Sequence, residues 1–171
     1  VAVAQGCETV SPTSALHAGL QHALPELART FRDPWWIIGS AAMALVGVPD
    51  TAPQDIDVLC SREDALRLRA TWAPHLDPGY LPKDEARFRS TFARFTHLPM
   101  PLEAMGALQV MTSDGWQPLQ VVDDAVLDLH GHAVRVPTLI EQERIFLLFG
   151  RAKDLAKAAR IAAFLDERHV A

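Results

Sequence analysis

Cysteine is nearly missing from this sequence: Cys7 and Cys60 are the two among 171 residues. Two cysteines so far apart supply neither a disulfide framework nor the paired spacing of a zinc site. Cys60 closes an apolar run and is expected to behave as a small buried hydrophobe. Long apolar runs are missing too, and none approaches the length that spans a bilayer. The opening Val1-Ala2-Val3-Ala4-Gln5 lacks a basic segment followed by a sustained apolar one, so no signal peptide is expected. A reducing, cytoplasmic setting follows as the default, and the first residue, which is not Met, suggests a start inside a longer precursor. Positive charge is short as well. Lys and Arg number 16 against 21 Asp and Glu, for a formal charge of −5. That balance argues against an extended nucleic-acid surface but allows a local basic pocket for a small anion. The familiar phosphate loops are absent: no Gly-x-Gly-x-x-Gly follows a strand-like run, and Gly39 to Gly47 lacks the Lys-Ser/Thr of a P-loop.

What is present suits one domain over residues 1–171, with an N-terminal helix in about 1–33 and a helical C-terminal part in about 138–171. Ser11-Pro12-Thr13-Ser14 opens a helix whose stripe is Leu16, Leu20, Leu24, Leu27 and Phe31, and Pro25 is expected to kink or split it. Trp35 to Ile38 is a short apolar strand, and Ala41 to Val46 a short helix. Asp55 to Cys60 is a second strand. Ser61 caps the next helix, with Asp64 at the capping-box position. Pro74 to Pro82 marks a loop. Arg89 to Phe95 and Leu102 to Val110 read as strands, the latter interrupted by Gly106. Asp114-Gly115 signals a hairpin within Gly106 to Leu119, and Val134 to Pro137 is a last extended piece. Helices follow from Thr138, broken at Gly150, the second over Leu155 to Leu165. No repeat or interdomain linker is visible.

The chemistry concentrates between Trp35 and Cys60. Alternate residues of a strand share a face, so Asp55 and Asp57 point together while Ile56 and Val58 enter the opposite layer. Two adjacent carboxylates repel, and a divalent cation relieves that repulsion most naturally. Mg²⁺ suits the pair, because it takes a few carboxylates and completes its shell with water and phosphate oxygens. Gly39 lets a phosphate approach the backbone, and Ser40 offers a hydroxyl at a helix start.

Gly39-Ser40, a short helix and loop, then Asp55-Ile56-Asp57 resembles the Gly-Gly/Ser … Asp-x-Asp signature of the nucleotidyltransferase superfamily. That superfamily includes antibiotic nucleotidyltransferases and the nucleotidyltransferase components of toxin–antitoxin pairs. The resemblance implies an α/β (α+β) fold: a mixed sheet flanked by helices, with helices at the C-terminus. It also implies a third carboxylate from a later strand, which helps activate the acceptor hydroxyl while two metal ions hold the triphosphate. Glu103, the one acid in Pro101-Leu102-Glu103-Ala104-Met105, is the best match, although the family usually places Asp there. Arg151-Ala152-Lys153-Asp154 is similar to an Arg-x-Lys-Asp segment of the small members, which makes Lys153 a candidate triphosphate ligand. Beyond these segments the match is one of general layout.

The expected function is therefore transfer of a nucleoside monophosphate to an acceptor hydroxyl, on a small molecule or a protein. Asp55, Asp57 and Glu103 are the catalytic and metal-binding candidates, for Mg²⁺ or Mn²⁺. Gly39, Ser40 and Lys153 are the nucleotide-binding candidates, with ATP the default donor by family prevalence. The alternative is a weakly active or inactive protein of this fold that works by binding a toxin partner. Plainer readings stand beside each candidate. Asp55 and Asp57 as solvated strand-edge acids, Glu103 on an open hairpin face, and Lys153 with Asp154 on a solvated helix surface are the main ones. Arg87, Arg89 and Arg94 lie near the middle strands; Arg89 with Ser90 is a candidate for substrate or phosphate contact but reads first as a polar strand face. His130-Gly131-His132 reads as a turn rather than a metal site. Trp35, Trp36, Trp72, Met100 and Met105 read as core.

Overall fold

In the computed structural model, which describes residues 11–170, the first helix is α1 (Pro12–Thr30). Cys7 and the opening residues lie outside the described part. Ser11 accepts a hydrogen bond from the Ser14 N–H, and Pro12 sits in the first turn, where an N–H has no partner to lose. The expected split at Pro25 does not occur; α1 runs through it. Leu16, Leu20, Leu24 and Leu27 are buried along one side. Each contributes roughly 1.5–3 kcal/mol by burial, which outweighs the ~3 kcal/mol cost of an interior proline.

The remaining elements are β1 (Trp36–Ile38), α2 (Gly39–Leu45), β2 (Ile56–Cys60), α3 (Arg62–Thr71), β3 (Phe88–Phe95), β4 (Leu102–Thr112), β5 (Gly115–Pro118), β6 (Asp124–Leu129), β7 (His132–Pro137), α4 (Leu139–Phe149) and α5 (Ala152–Val170). The sheet has seven strands in the order β3-β4-β2-β1-β7-β6, with β5 paired to β4. It is mixed: β2 with β4 and β1 with β7 are parallel, the other pairs antiparallel. This is the α/β architecture expected, C-terminal helices included.

The strand β6 carries no clear signal in the sequence. Its acids Asp124 and Asp128 interrupt the apolar pattern, and an edge strand needs little burial. It pairs with β7 through a two-residue turn in which His130 and Gly131 both have positive φ, 54° and 80°. That is the turn geometry that matches strand twist. The His130-Gly131 turn is thus where the sequence places it.

Two apolar cores lie on opposite faces of the sheet. One joins α1 and α3 to Ile37, Ile56, Val58, Leu102 and Ala104. The other joins α4 and α5 to Ile38, Leu59, Leu108 and Val110. Period two would send Leu108 and Val110 to the wrong face from Glu103 and Met105. A bulge in β4, with Ala107 at φ 51°, restores them. The interruption expected at Gly106 is therefore one residue further on. Gly106 itself is where α3 lies close, since a Cβ there would meet Ala65 Cβ at 2.6 Å.

Asp64 departs from the capping-box expectation. Its N–H bonds the Ser61 hydroxyl, but its fully buried carboxylate accepts from the Arg32 and Asp33 N–H groups and from Arg67. It ties the start of α3 to the end of α1. Asp154 is also not a solvated surface acid. It is buried and held by the Arg151 guanidinium at 2.6 and 3.0 Å. An acid at the start of a helix is favoured by the exposed N–H groups there, which accounts for α5 beginning earlier than its apolar residues indicate. Among the described residues no helix is long and apolar enough to cross a membrane.

Candidate active site

Hydrogen-bond register brings four residues into one row across the sheet. Ile38 on β1 faces Asp57 on β2, Asp57 faces Glu103 on β4, and Glu103 faces Arg94 on β3. Asp55 precedes β2 by one residue and, two positions from Asp57, shares its side. Ile56 and Val58 enter the opposite core, as the strand period requires. Strand alternation thus puts Asp55 and Asp57 on one face, and the cross-strand register sets Asp57 beside Glu103.

Gly39, at the corner between β1 and α2, has φ +69°, and a Cβ there would collide with the Asp57 carboxylate. Only glycine fits both constraints. The corner therefore admits the Asp57 side chain as well as any phosphate. The first turn of α2 receives no side-chain cap, and Ser40 stands half-buried at its start.

A cavity of about 550 Å³ opens over this row. Asp55, Asp57, Glu103, Gly39, Ser40 and Lys153 all line it, so every candidate from the sequence is at one place. Its far wall is α5, where Lys153 and Lys157, one turn apart, both border the cavity. Arg89, Ser90 and Met105 also line it, which moves them away from the plain strand-face and core readings. Arg89 lies over the Trp116 ring at 4.4 Å and donates to Gln109.

Residues the sequence did not single out complete the site. Lys157 follows Lys153 by one helical turn, and that spacing is the signal that finds it. Arg94 donates a hydrogen bond to Glu103 Oε1 and lies 3.8 Å from Asp55 Oδ2. Its guanidinium stacks 4.4 Å from the Tyr80 ring, and Tyr80 stands close to the Glu103 carboxylate. No local pattern announces these contacts, because they depend on strand register and on the path of the loop that carries Tyr80.

The electrostatics follow from crowding. Asp57 keeps an opening onto the cavity, but surrounding protein strips its water and the charges of Asp55 and Glu103 oppose ionisation. Its carboxyl is pushed up to about 8, while Lys157 and Lys153 pull the other way. Glu103 is raised as well, by burial first and by Asp55 next, with Arg94 opposing. Burial lowers Lys157, and the nearby Asp57 charge offsets part of that.

Hard oxygen donors, mutual repulsion and a phosphate-sized opening with cationic walls are what a divalent cation carrying a phosphate needs. The donor set therefore fits Mg²⁺ or Mn²⁺ at the aspartate pair. Among the described residues, however, no three Asp, Glu, His or Cys side chains are arranged to hold a metal ion as they stand. Glu103 is turned to Arg94 instead.

No protein-family model matches the sequence, and no curated protein is similar to it in sequence. Solved structures are similar in fold. A protein of Thermotoga maritima, whose assignment as a nucleotidyltransferase is itself inferred, is 22% identical. The alignment covers 85% of this chain and 92% of that one, with a TM-score of 0.63. The lincosamide antibiotic adenylyltransferase LnuA, solved with lincomycin bound, is 12% identical over 84% of this chain and 94% of its own, at a TM-score of 0.53. The antibiotic-resistance factor ANT(2'')-Ia is 15% identical over 90% and 83%, at 0.51. The chain has the nucleotidyltransferase fold.

Proposed function

We propose that this protein is a nucleotidyltransferase that moves a nucleoside monophosphate from a nucleoside triphosphate to an acceptor hydroxyl. The observation that carries the reading is the convergence of Asp55, Asp57 and Glu103 with Gly39-Ser40 at one cavity whose opposite wall is Lys153 and Lys157. Two solved neighbours of the same fold are antibiotic-modifying or antibiotic-resistance proteins, which supports the chemistry in general terms.

A divalent cation bound to the aspartate pair would neutralise phosphate charge and stabilise the departing pyrophosphate. The chain's own residues do the rest. Lys153 and Lys157 meet the negative charge of the triphosphate from α5. Ser40 and the uncapped first turn of α2 offer donors to a phosphate oxygen. Glu103, raised above the ordinary carboxylate range, accepts the proton of the acceptor hydroxyl as it attacks. Arg94 holds Oε1 of that carboxylate, and Tyr80 also hydrogen-bonds it. ATP is the proposed donor, and the acceptor is assigned to the same cavity, on its Tyr80 and Met105 lining.

The experiment uses triphosphates labelled at the α-phosphate, with Mg²⁺ and a panel of hydroxyl acceptors. Wild type transfers label, Asp57→Ala does not, and Glu103→Gln binds nucleotide but transfers at least a hundredfold more slowly. Transfer that persists in Asp57→Ala, or is independent of metal, rules the reading out. Arg94's hold on Glu103 favours one second reading, a weakly active protein that binds a partner such as a toxin. A tight heteromeric complex that survives Asp55→Ala would support it.

A further inference from the structure

Arg94 is attached at three points, all inside the site. Its guanidinium donates to Glu103 Oε1, lies 3.8 Å from Asp55 Oδ2, and covers the Tyr80 ring at 4.4 Å. Tyr80 in turn stacks on Phe92 with ring centroids 5.7 Å apart. The side chains of Arg94 and Glu103 are 17% and 11% exposed, so this pair is not a solvent-screened surface bridge. Backbone register fixes it further, since Arg94 and Glu103 are direct partners on antiparallel strands. A guanidinium is planar and permanently charged, with donors on several edges, so one Arg can address two carboxylates where an ammonium would favour one.

We propose that Arg94 is a built-in cation that stands in for a metal ion at Glu103, confining divalent-cation binding to Asp55 and Asp57. The inference rests on the metal-site reading of the aspartate pair. Arg94 neutralises Glu103 and keeps it as a proton acceptor instead of a ligand. Without Arg94, Glu103 would be one more acid beside Asp57 and Asp55, and the row would become a three-carboxylate site. Arg94 is therefore a positioning residue. Arg89, in the same cavity, has other partners in Gln109 and Trp116, so its charge serves as the control.

The test is Mn²⁺ binding to the nucleotide-free protein, followed by electron paramagnetic resonance of the free ion. Arg94→Gln is expected to bind Mn²⁺ about tenfold more tightly than wild type. Arg94→Gln with Glu103→Gln should return to the wild-type affinity, and Arg89→Gln should change it much less. An unchanged or weaker affinity in Arg94→Gln overturns the inference. So does a gain that survives Glu103→Gln, or an equal gain in Arg89→Gln, because either would mean only a general loss of positive charge. If thermal melting shows Arg94→Gln unfolded, Arg94→Lys is measured instead. It keeps one carboxylate contact and should gain about threefold, and no gain overturns the inference. Failure of the aspartate-pair reading is seen separately, as wild-type Mn²⁺ binding that Asp57→Asn leaves unchanged.

Discussion

Asp57 and Glu103 stand directly opposite one another on neighbouring parallel strands, 46 residues apart in sequence. Parallel register puts both carboxylates on the same face of the sheet, and the missing side chain of Gly39 leaves room for the Asp57 carboxylate at the β1–α2 corner. The repulsion that follows is built into the backbone.

Stability should consequently depend on pH. Asp57 rises from 3.8 to about 8 on folding, so the native state holds its proton more tightly than the unfolded chain. The stability contributed by that proton is complete below about pH 4 and is lost as pH rises toward about 8. Melting curves of wild type should therefore fall relative to Asp57→Asn across this window, with each kcal/mol worth roughly 2–4 °C. Added Mg²⁺ should recover much of the loss in wild type only. Parallel profiles for the two proteins would contradict the crowding described.

Gly39→Ala is expected to damage stability and activity together. Its φ of +69° is strained for any residue with a Cβ, and that Cβ meets the Asp57 carboxylate. The cost should be about 1–3 kcal/mol in chemical denaturation, with triphosphate binding strongly weakened. Ala at Gly47, where a Cβ meets nothing within 4 Å, controls for strain alone, because its φ of +83° is similar.

Lys153→Gln and Lys157→Gln should each weaken binding of a non-hydrolysable triphosphate about tenfold, near 1.4 kcal/mol. Their effect on the monophosphate should be smaller, because the charge they meet lies on the outer phosphates. Calorimetry with both ligands separates the two, and equal losses would place the lysines elsewhere on the nucleotide.

Asp64→Ala tests the scaffold rather than the site. It strands the Arg32 and Asp33 N–H groups and removes the carboxylate partner of Arg67, at a cost of about 2–4 kcal/mol. Asp64 does not line the cavity, so nucleotide affinity of the folded protein should not change.

Much of this was legible because period-two alternation and turn residues act locally. Asp55 and Asp57 face together, Ile56 and Val58 face away, and Ser61, Thr138 and Gly150 bound their helices on short-range chemistry. The partnership of Glu103 with Asp57 was an inference from resemblance, since no local rule gives cross-strand register. Arg94 was unreadable for the same reason: its partners Asp55, Tyr80 and Glu103 come from three separate segments. Strand β6 escaped because its acids and its edge position erase the apolar pattern. The fully buried Asp64 looked like an ordinary capping residue because its acceptor role is set by the distant end of α1.

In the proposed function, a cation on the aspartate pair binds the triphosphate in this cavity. Calorimetric titration with a non-hydrolysable nucleoside triphosphate, in Mg²⁺ and then in excess chelator, tests it most directly. Wild type should bind in Mg²⁺, with affinity lost by at least tenfold in chelator and in both Asp55→Asn and Asp57→Asn. Equal affinity under all four conditions would contradict it.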